Sequence, residues 1–296
     1  TSESLDELFY RNSDGETQQM SDANSWVSEI DVQATHELRF KNPDGYEVQG
    51  WYILPPNYEA GKSYPLALNI HGGPHVMWAP AQRSMWHEWQ THVAAGYVVF
   101  YCNPRGSNGY GTAHRRALHS AWGPIAMDDI MAGVDTLIEQ GIVDGDKMAL
   151  TGGSYGGYMT SWIIGHTERF KSAVTQRGVY NLTSFYGTTD IPILISSEFD
   201  TEPWDDFDKL WHHSPLAYAS KVTTPTLIIH AENDFRVPIE QAEQLFAWIR
   251  RATDTPVKML RYPREGHELS RSGEPQHRIS RLTEMLEWFK QYCPPS

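Results

Sequence analysis

Residues 147–158 of the chain are KMALTGGSYGGY, and this stretch decides the fold class. An apolar segment with strand character, 147–151, leads into a G-x-S-x-G pattern around Ser154, and a segment with helical character, 155–164, follows directly. A strand, a sharp turn and a helix in this order form a nucleophile elbow, in which glycines flank the serine because side chains do not fit there. We therefore predict that Ser154 is an exposed nucleophile. The alternative is a glycine-rich turn with an incidental serine.

The elements around this stretch predict an α/β domain with a mixed, mostly parallel central sheet and helices on both faces. Two early strands flank an Asp-Gly turn and alternate with period two, which indicates an antiparallel hairpin. Strands and helices then alternate, which is typical of parallel β-α-β units. The predicted strands are 36–41, 46–54, 65–70, 97–103, 147–151, 171–175, 225–231 and 257–262. The predicted helices are 81–95, 125–140, 155–164, 240–251 and 276–291, and a long aromatic stretch before 225 has no regular periodicity.

Composition narrows the possible functions. Of the 296 residues 40% are apolar and 21% are charged, values typical of a globular protein. The 24 basic and 37 acidic residues give a formal net charge of −13, which disfavours nucleic acids and anionic membranes as partners. No apolar run approaches the ~18 residues that a membrane-spanning helix needs. The two cysteines, Cys102 and Cys293, give no support to a disulfide framework and favour a cytoplasmic location.

A second glycine-rich segment, 71–74 (HGGP), follows the predicted strand 65–70. Acyl transfer places negative charge on the carbonyl oxygen of the substrate, and backbone N–H groups that face this oxygen stabilise the charge. We predict that the N–H groups of Gly73 and Tyr155 form this oxyanion hole.

Two further residues complete a predicted serine hydrolase site. Asp234 follows the strand 225–231, and His267 lies on the loop between the last strand and the last helix. A nucleophilic serine needs a histidine that accepts its proton and an acid that orients the histidine. Glu232 competes with Asp234 for the second role, and an Asp after a strand is often only a helix cap. The chain order Ser154, Asp234, His267 is that of the α/β-hydrolase fold, which is the predicted fold.

At these motifs the sequence resembles the prolyl oligopeptidase family of serine peptidases. The segments that resemble the family are 152–158 (GGSYGGY), 103–107 (NPRGS), 109–111 (GYG) and 234–238 (DFRVP). The segments that resemble its acylaminoacyl-peptidase (acyl-peptide hydrolase) branch are 71–74, 211–216 (WHHSPL) and 266–273 (GHELSRSG). The likeness covers nearly the whole chain from about residue 35.

The resemblance implies a peptidase that cleaves N-acylated or hydrophobic N-terminal residues from short peptides through an acyl-enzyme. It also implies a β-propeller before the catalytic domain, so the expected partners are short peptides and a propeller that is missing from this chain. We expect residues 1–30, in which 7–20 have the pattern of a hairpin, to be the remnant of a last propeller blade. Residues 31–296 are then the catalytic domain. A homo-oligomer is compatible with this organisation.

Two alternative functions stay open at this stage. A carboxylesterase can use the same fold, because the fold does not fix the leaving group. A non-catalytic peptide-binding module is the alternative from another class. We expect no metal or organic cofactor in any of these cases. His71 and His75 are four residues apart, as in helical zinc motifs, but the glycines and the proline between them do not permit that helix.

Four residues are candidates for substrate contacts. Phe185, Ile193 and Trp204 lie in the long aromatic stretch, where we predict the wall of an acyl or side-chain pocket. Ordinary packing of a cap segment is the alternative. Arg105 is a candidate for binding a substrate carboxylate or acyl carbonyl, with a structural ion pair as the alternative.

Overall fold

The computed structural model describes residue 3, residues 5–80 and residues 82–295. Residues 1, 2 and 4 of the predicted N-terminal segment, Ala81 of the predicted helix 81–95, and residue 296 lie outside the described residues. The described strands form a small antiparallel sheet of β1 (Phe9–Arg11) and β2 (Thr17–Gln19) and one sheet of eight strands. The eight strands are β3 (Thr35–Lys41), β4 (Glu47–Ile53), β5 (Tyr64–Ile70), β6 (Val98–Asn103), β7 (Val143–Gly153), β8 (Ser172–Gln176), β9 (Thr226–Ala231) and β10 (Val257–Tyr262).

The helices lie on both faces of the large sheet. They are α1 (Arg83–Ala94), α2 (Thr112–Arg116), α3 (Trp122–Glu139), α4 (Tyr155–Ile164), α5 (Leu182–Thr188), α6 (Ile193–Phe199), α7 (Phe207–His212), α8 (Glu240–Ala252), α9 (Leu269–Ser272) and α10 (Pro275–Tyr292), with 3₁₀ turns at Ser25–Glu29 and Pro215–Lys221. One buried apolar cluster contains side chains of α3, α4 and α8. A second cluster on the opposite face contains side chains of α1 and α10. None of the described helices combines the length and the apolar composition that crossing a membrane requires.

The large sheet is mixed and mostly parallel, as predicted. Its strand order is β10-β9-β8-β7-β5-β6-β4-β3, and its antiparallel pairs are β3 with β4 and β4 with β6, so β4 runs opposite to the other strands. Every residue of β6, β8 and β9 is buried, because helices cover both faces of these strands. This burial explains why β6 is a nearly continuous apolar run in the sequence, while the edge strand β3 alternates.

The order of the strands places the two glycine-rich segments side by side. β5 lies between β6 and β7, so the chain leaves its carboxyl end where the strand order reverses, which is the usual position of a ligand site in such sheets. In the register of β5 and β7, Ile70 is the partner of Gly152. The segment 71–74 therefore begins next to the turn at Ser154.

Five short helices were not predicted from the sequence: α2, α5, α6, α7 and α9. They have between four and seven residues each. A helix of one or two turns does not repeat its apolar face often enough to show a 3.6-residue period. Side-chain caps stabilise two of them, because the carboxamide of Asn181 accepts hydrogen bonds at the start of α5 and the carboxylate of Asp206 accepts one at the start of α7.

The N-terminal hairpin is separate from the large sheet. Its strands pair from Phe9 with Gln19 to Arg11 with Thr17, around the predicted turn. The carboxylate of Glu7 joins the hairpin to the next segment by accepting hydrogen bonds from the backbone N–H groups of Ala23 (3.1 Å) and Asn24 (2.7 Å). Its large apolar side chains are exposed, namely those of Leu8, Phe9, Tyr10 and Met20.

Candidate active site

Ser154 lies at the sharp turn between β7 and α4. Its backbone angles are φ 63° and ψ −123°, a region that residues other than glycine rarely adopt. Hydrogen bonds on both sides fix this conformation. The N–H of Ser154 donates to the carbonyl of Gln176 (3.0 Å), and the N–H of Tyr158 donates to the carbonyl of Ser154 (3.0 Å). The turn is thus held by β8 on one side and by α4 on the other.

The two outer glycines of the G-x-S-x-G pattern permit this turn. A β-carbon on Gly152 would lie 2.4 Å from the carbonyl oxygen of Gly156. A β-carbon on Gly156 would lie 2.1 Å from the carbonyl oxygen of Ile70. Both obstacles are backbone atoms of the central sheet and its elbow, so neither can move aside without displacing Ser154.

The structure brings together the three side chains that the sequence singled out. Nε2 of His267 lies 3.0 Å from Oγ of Ser154, and Nδ1 of His267 lies 2.7 Å from Oδ2 of Asp234. A carboxylate only accepts hydrogen bonds, so Nδ1 carries the hydrogen and Nε2 faces the hydroxyl as an acceptor. Asp234 is buried, and its other oxygen accepts the N–H of Val237 (2.8 Å). The competitor Glu232 is instead paired with Arg261 (3.1 Å) at the surface.

A buried histidine that the sequence analysis missed lies behind the acid. His230, on β9, directs Nε2 at the carbonyl of Val237 (2.7 Å) and lies 3.7 Å from Oδ2 of Asp234. Burial lowers the pKa of His230 to about 4, so this ring is neutral at physiological pH. Asp234 therefore has no competing cation on that side. The sequence signal that could have identified His230 is a histidine inside the mostly apolar strand β9.

The predicted oxyanion loop approaches the elbow closely. A β-carbon on Gly72 would lie 3.2 Å from Cβ of Ser154 and 3.0 Å from the carbonyl oxygen of Gly153. Gly73 has φ 120°, and a β-carbon there would lie 2.5 Å from the N of His75. Gly73 and Tyr155 line the same cavity as Ser154.

The two histidines of this loop have separate partners. Nε2 of His71 lies 2.8 Å from Oγ of Ser107, and burial lowers the pKa of His71 to about 4. Nε2 of His75 lies 2.9 Å from Oε1 of Glu198 on α6, and its Nδ1 lies 2.7 Å from the carbonyl of Gly106. These bonds fix both ends of the loop.

Among the described residues, one group has the spacing of metal ligands: Glu265, Glu274 and His277, whose ligand atoms lie within 4.8 Å of one another. Hydrogen bonds within the group and to its neighbour explain this arrangement. Oε1 of Glu265 accepts from the backbone N–H of Glu274 (2.8 Å) and lies 2.6 Å from Nδ1 of His277. Arg264 neutralises Glu274 (2.8 Å).

A cavity of about 260 Å³ opens at Ser154 and has two chemically different halves. The side chains of the first half, here called the apolar half, are those of Val76, Trp122, Tyr155, Val179, Phe185, Ile191, Leu194 and Val237. The side chains of the second half, here called the arginine half, are those of Glu88, Gln176, Arg177, Glu268, Ser270, Arg271 and Arg281. Phe185 of the apolar half was predicted from the sequence as a wall residue, whereas no residue of the arginine half was predicted.

Of the predicted pocket residues in the aromatic stretch, the structure places Phe185 in the cavity wall and the other two outside it. Ile193 is 71% exposed and Trp204 is 72% exposed, and Trp204 packs edge-on against Tyr186. Ile193 and Leu194 are consecutive residues of α6, and consecutive residues of a helix point in different directions, so Leu194 faces the cavity instead. The expectation for Ile193 and Trp204 is thus corrected.

The alternative stated for Arg105, a structural ion pair, is what the structure shows. Its Nη2 lies 2.8 Å from Oδ1 of Asp129, its backbone N–H donates to Oδ2 of Asp129 (2.7 Å), and its Nη1 lies 3.2 Å from Asp44. Asp129 on α3 is fully buried, and Arg105 supplies the counter-ion without which a buried carboxylate would destabilise the fold. Arg105 does not line the cavity at Ser154. A different arginine of the motifs does, since Arg236 lines it while paired with Asp190 (2.6 Å).

The chain matches a known family of proteins. Residues 83–295 match the prolyl oligopeptidase family. The chain belongs to this family. Among its curated relatives, an uncharacterized peptidase of Bacillus subtilis, YuxL, is 43% identical over 280 residues, which are 94% of this chain and 42% of the relative. Dipeptidyl-peptidase 5 of Schizosaccharomyces pombe is 30% identical over 261 residues, which are 86% of this chain and 37% of the relative.

Solved structures of two peptidases share this fold. Acylaminoacyl peptidase of Pyrococcus horikoshii is 28% identical with a TM-score of 0.89, over 97% of this chain and 46% of that chain. A puromycin-hydrolyzing peptidase of Mycobacterium tuberculosis is 23% identical with a TM-score of 0.86, over 98% of this chain and 44% of that chain, and supports the fold alone. The chain spans less than half the length of these relatives.

These matches confirm the predicted family and the predicted α/β-hydrolase fold. Members of the prolyl oligopeptidase family are serine peptidases, and the relative YuxL is named a peptidase.

Proposed function

We propose that this domain removes N-acylated or hydrophobic N-terminal residues from short peptides through an acyl-enzyme. The observation that supports the proposal is the chain of contacts from Ser154 to His267 (3.0 Å) to Asp234 (2.7 Å) beside the apolar half of the cavity. The apolar half suits an acyl group or a hydrophobic side chain. The structural likeness to an acylaminoacyl peptidase is further support for this substrate class.

In this mechanism the side chains act in a fixed order. Oγ of Ser154 attacks the carbonyl carbon of the substrate while Nε2 of His267 accepts the hydroxyl proton. The N–H groups of Gly73 and Tyr155 stabilise the negative charge on the oxygen. His267 then gives the proton to the leaving nitrogen as the C–N bond breaks. Water repeats the sequence on the acyl-enzyme, and Asp234 stabilises the imidazolium at each step.

The test compares three kinds of substrate. Anilides of N-acetyl-phenylalanine and N-acetyl-alanine measure peptidase activity, and p-nitrophenyl esters measure esterase activity. We expect turnover of both anilides, and Ser154→Ala lowers it by about 10⁴–10⁶-fold. Turnover of the esters alone favours the carboxylesterase. A protein that neither turns over these substrates nor labels at Ser154 with a fluorophosphonate is a binding module.

We infer that residues 1–30 belong to a preceding β-propeller, which would be the partner of this domain. The inference is supported by the separate hairpin and by its exposed apolar side chains, of which Leu8 and Phe9 are examples. Such a patch on an otherwise folded chain is typical of a covered surface.

We also infer a cytoplasmic location for the protein. Cys102 and Cys293 support it, because both are buried and unpaired, and reducing compartments keep thiols in this state. Fractionation of the native cells, followed by detection of the protein with an antibody, tests the location. Recovery from the secreted fraction contradicts it.

A further inference from the structure

The two halves of the cavity lie over opposite faces of the large sheet. Trp122, Tyr155 and Phe185 of the apolar half belong to the buried cluster on the α4 side. The arginine half is formed from the other side by α1, α9 and α10, together with the residues at the end of β8. The end of β7, which leads into Ser154, is common to both halves. A substrate that reacts at Ser154 therefore has one part on each side of the sheet.

Positive charge exceeds negative charge in the arginine half. Nη2 of Arg281 lies 2.6 Å from Oε2 of Glu88, and Arg271 is paired with Glu268. Arg177 has no carboxylate within ion-pair distance among the residues that the structure describes. The Nε atoms of Arg177 and Arg281 are buried and have no hydrogen-bond acceptor in the described part of the chain. Three guanidinium groups thus share two carboxylates.

Arg177 lies directly beside the nucleophile elbow. A β-carbon on Gly153, the residue before Ser154, would lie 2.8 Å from Cζ of Arg177. The backbone of Arg177 has φ 41°, and its N–H donates to the carbonyl of Ile229 (2.8 Å). Burial, together with the positive charges of Arg271 and Arg281, lowers the pKa of Arg177 to about 10. The guanidinium is therefore still charged at neutral pH, and the backbone that carries it is bound to β9.

The arginine half lies on the side of the leaving group. His267 donates its proton to the leaving nitrogen, so the leaving group must be next to this ring. Glu268, Ser270 and Arg271, which follow His267 in the chain, line the arginine half. An extended residue spans ~3.3–3.6 Å, so a cation that packs against the backbone before Ser154 is within one or two residues of the scissile bond.

We propose that the arginine half binds the free C-terminal carboxylate of the leaving group, with Arg177 as its ion-pair partner. The proposal rests on the proposed function, and it narrows the substrates to an N-acylated or hydrophobic residue followed by one or two residues with a free C-terminus. As the Oγ–C bond forms and the C–N bond breaks, the leaving nitrogen takes its proton from His267. The first product is a free amino acid or a dipeptide, whose carboxylate is held by Arg177, and water then hydrolyses the acyl-enzyme.

The experiment measures kcat/KM of the full chain on three peptides with the same acyl part. They are N-acetyl-phenylalanyl-alanine, its C-terminal carboxamide, and N-acetyl-phenylalanyl-aspartic acid α-amide, which carries its carboxylate on a side chain. We expect the free acid to be preferred over the carboxamide by about 10–100-fold, the usual effect of a charge-assisted hydrogen bond. Equal values for the acid and the carboxamide overturn the proposal. An aspartyl amide that is as good a substrate as the acid overturns the assignment to the C-terminus.

Substitutions of single arginines test which side chain causes the preference for the free acid. Arg177→Met is expected to reduce the ratio of acid to carboxamide to within about threefold of one, and Arg177→Lys to keep part of it. The ratio is taken within each variant, so a general loss of activity cancels. Arg251→Met changes an exposed arginine of α8 outside the cavity and is expected to keep the native ratio. A native ratio in Arg177→Met overturns the role of this residue.

A second variant is used if Arg177→Met does not fold, as judged by circular dichroism. Arg271 is partly exposed, and Arg271→Met is expected to lower the ratio of acid to carboxamide several-fold. A native ratio in this variant overturns the proposal.

An anilide substrate separates this proposal from the proposed function. N-acetyl-phenylalanyl p-nitroanilide has no carboxylate, so its turnover tests the catalytic residues alone. If the anilide is turned over but the free acid is not preferred to the carboxamide, the proposed carboxylate site is wrong and the proposed function still stands. Absence of turnover, together with absence of fluorophosphonate labelling at Ser154, contradicts the proposed function, and the carboxylate site then falls with it.

Discussion

At the scale of single residues, the elbow depends on the absence of a β-carbon at Gly152 and at Gly156. The space next to Cα of Gly156 is occupied by the carbonyl oxygen of Ile70, and the space next to Cα of Gly152 by that of Gly156. Together these two contacts join β5, β7 and α4 at one point. The position of Oγ of Ser154 relative to His267 is therefore as rigid as the central sheet.

Gly156→Ala is expected to destabilise the fold by about 1–3 kcal/mol, because the new methyl group must displace the backbone of β5 or α4. Turnover should fall more steeply than stability, since the displacement moves Ser154. Urea denaturation and anilide turnover measure the two effects. Gly187→Ala is the matched control, because Gly187 is exposed and a β-carbon there meets nothing within 4 Å. Equal denaturation midpoints for the two variants contradict the steric explanation.

At the scale of elements, one ion pair ties the oxyanion loop to α6. The Glu198 carboxylate raises the pKa of His75 above its ordinary value of 6.5. Burial raises the pKa of the Glu198 carboxyl, but hydrogen bonds from His75 and Trp122 outweigh this effect, and its pKa lies below the ordinary 4.5. The contribution of His75 to stability is complete below its unfolded pKa and is lost as pH rises through its folded pKa. The contribution of Glu198 is complete above its unfolded pKa and is lost at lower pH.

The pair therefore stabilises the fold most between about pH 4.5 and pH 6.5. His75→Gln is expected to lower the melting temperature more at pH 5.5 than at pH 9, as measured by calorimetry. A double-mutant cycle with Glu198→Gln isolates the pair from the bond between His75 and Gly106. The coupling between the two sites should be present at pH 5.5 and small at pH 9. The same coupling at both values contradicts the assignment of an ion pair.

A second ion pair joins α1 and α10 inside the molecule. Glu88 and Arg281 are both buried, and Nη1 of Arg281 also donates to the side chain of Gln176 (2.7 Å). Glu88→Gln leaves a buried guanidinium without its counter-ion, so we expect a loss of about 3–5 kcal/mol in the free energy of unfolding. Glu284→Gln breaks the half-exposed pair with Lys258 and should cost less than about 1 kcal/mol. Similar losses in the two variants contradict the role of burial.

At the scale of the whole molecule, the N-terminal hairpin contributes little to the stability of the main domain. Its strands pair only with each other among the described strands, and its apolar side chains are exposed. Removal of residues 1–20 is expected to change the melting temperature by less than about 3 °C and to reduce the binding of a hydrophobic dye. By comparison, Trp86→Ala removes a buried side chain of α1 and should cost about 3–5 kcal/mol. Unfolding of the shortened chain refutes this independence.

The fold class, the order of the main strands and helices, and the three side chains that meet at Ser154 could all be predicted from the sequence. They could be predicted because the elbow needs glycines at fixed positions, and because buried parallel strands are continuous apolar runs between amphipathic helices. These are local properties of the chain. The short helices α5 and α6 were missed, and with them the choice of Leu194 over Ile193 as a wall residue.

The polar groups that meet in the folded chain could not be predicted in this way, because their contacts depend on tertiary packing. Arg105 is bound to Asp129, while Arg177, beside Gly153, has no carboxylate partner among the residues that the structure describes, and no spacing in the sequence distinguishes these two arginines. His75 and Glu198, which are 123 residues apart, form a pair for the same reason. The energy of a charge depends on the distance to its partner and on burial, and both are set by the packing of distant elements on the sheet. The glycines at the elbow indicate the fold locally, whereas the pairing of the charges depends on how distant elements pack in the folded chain.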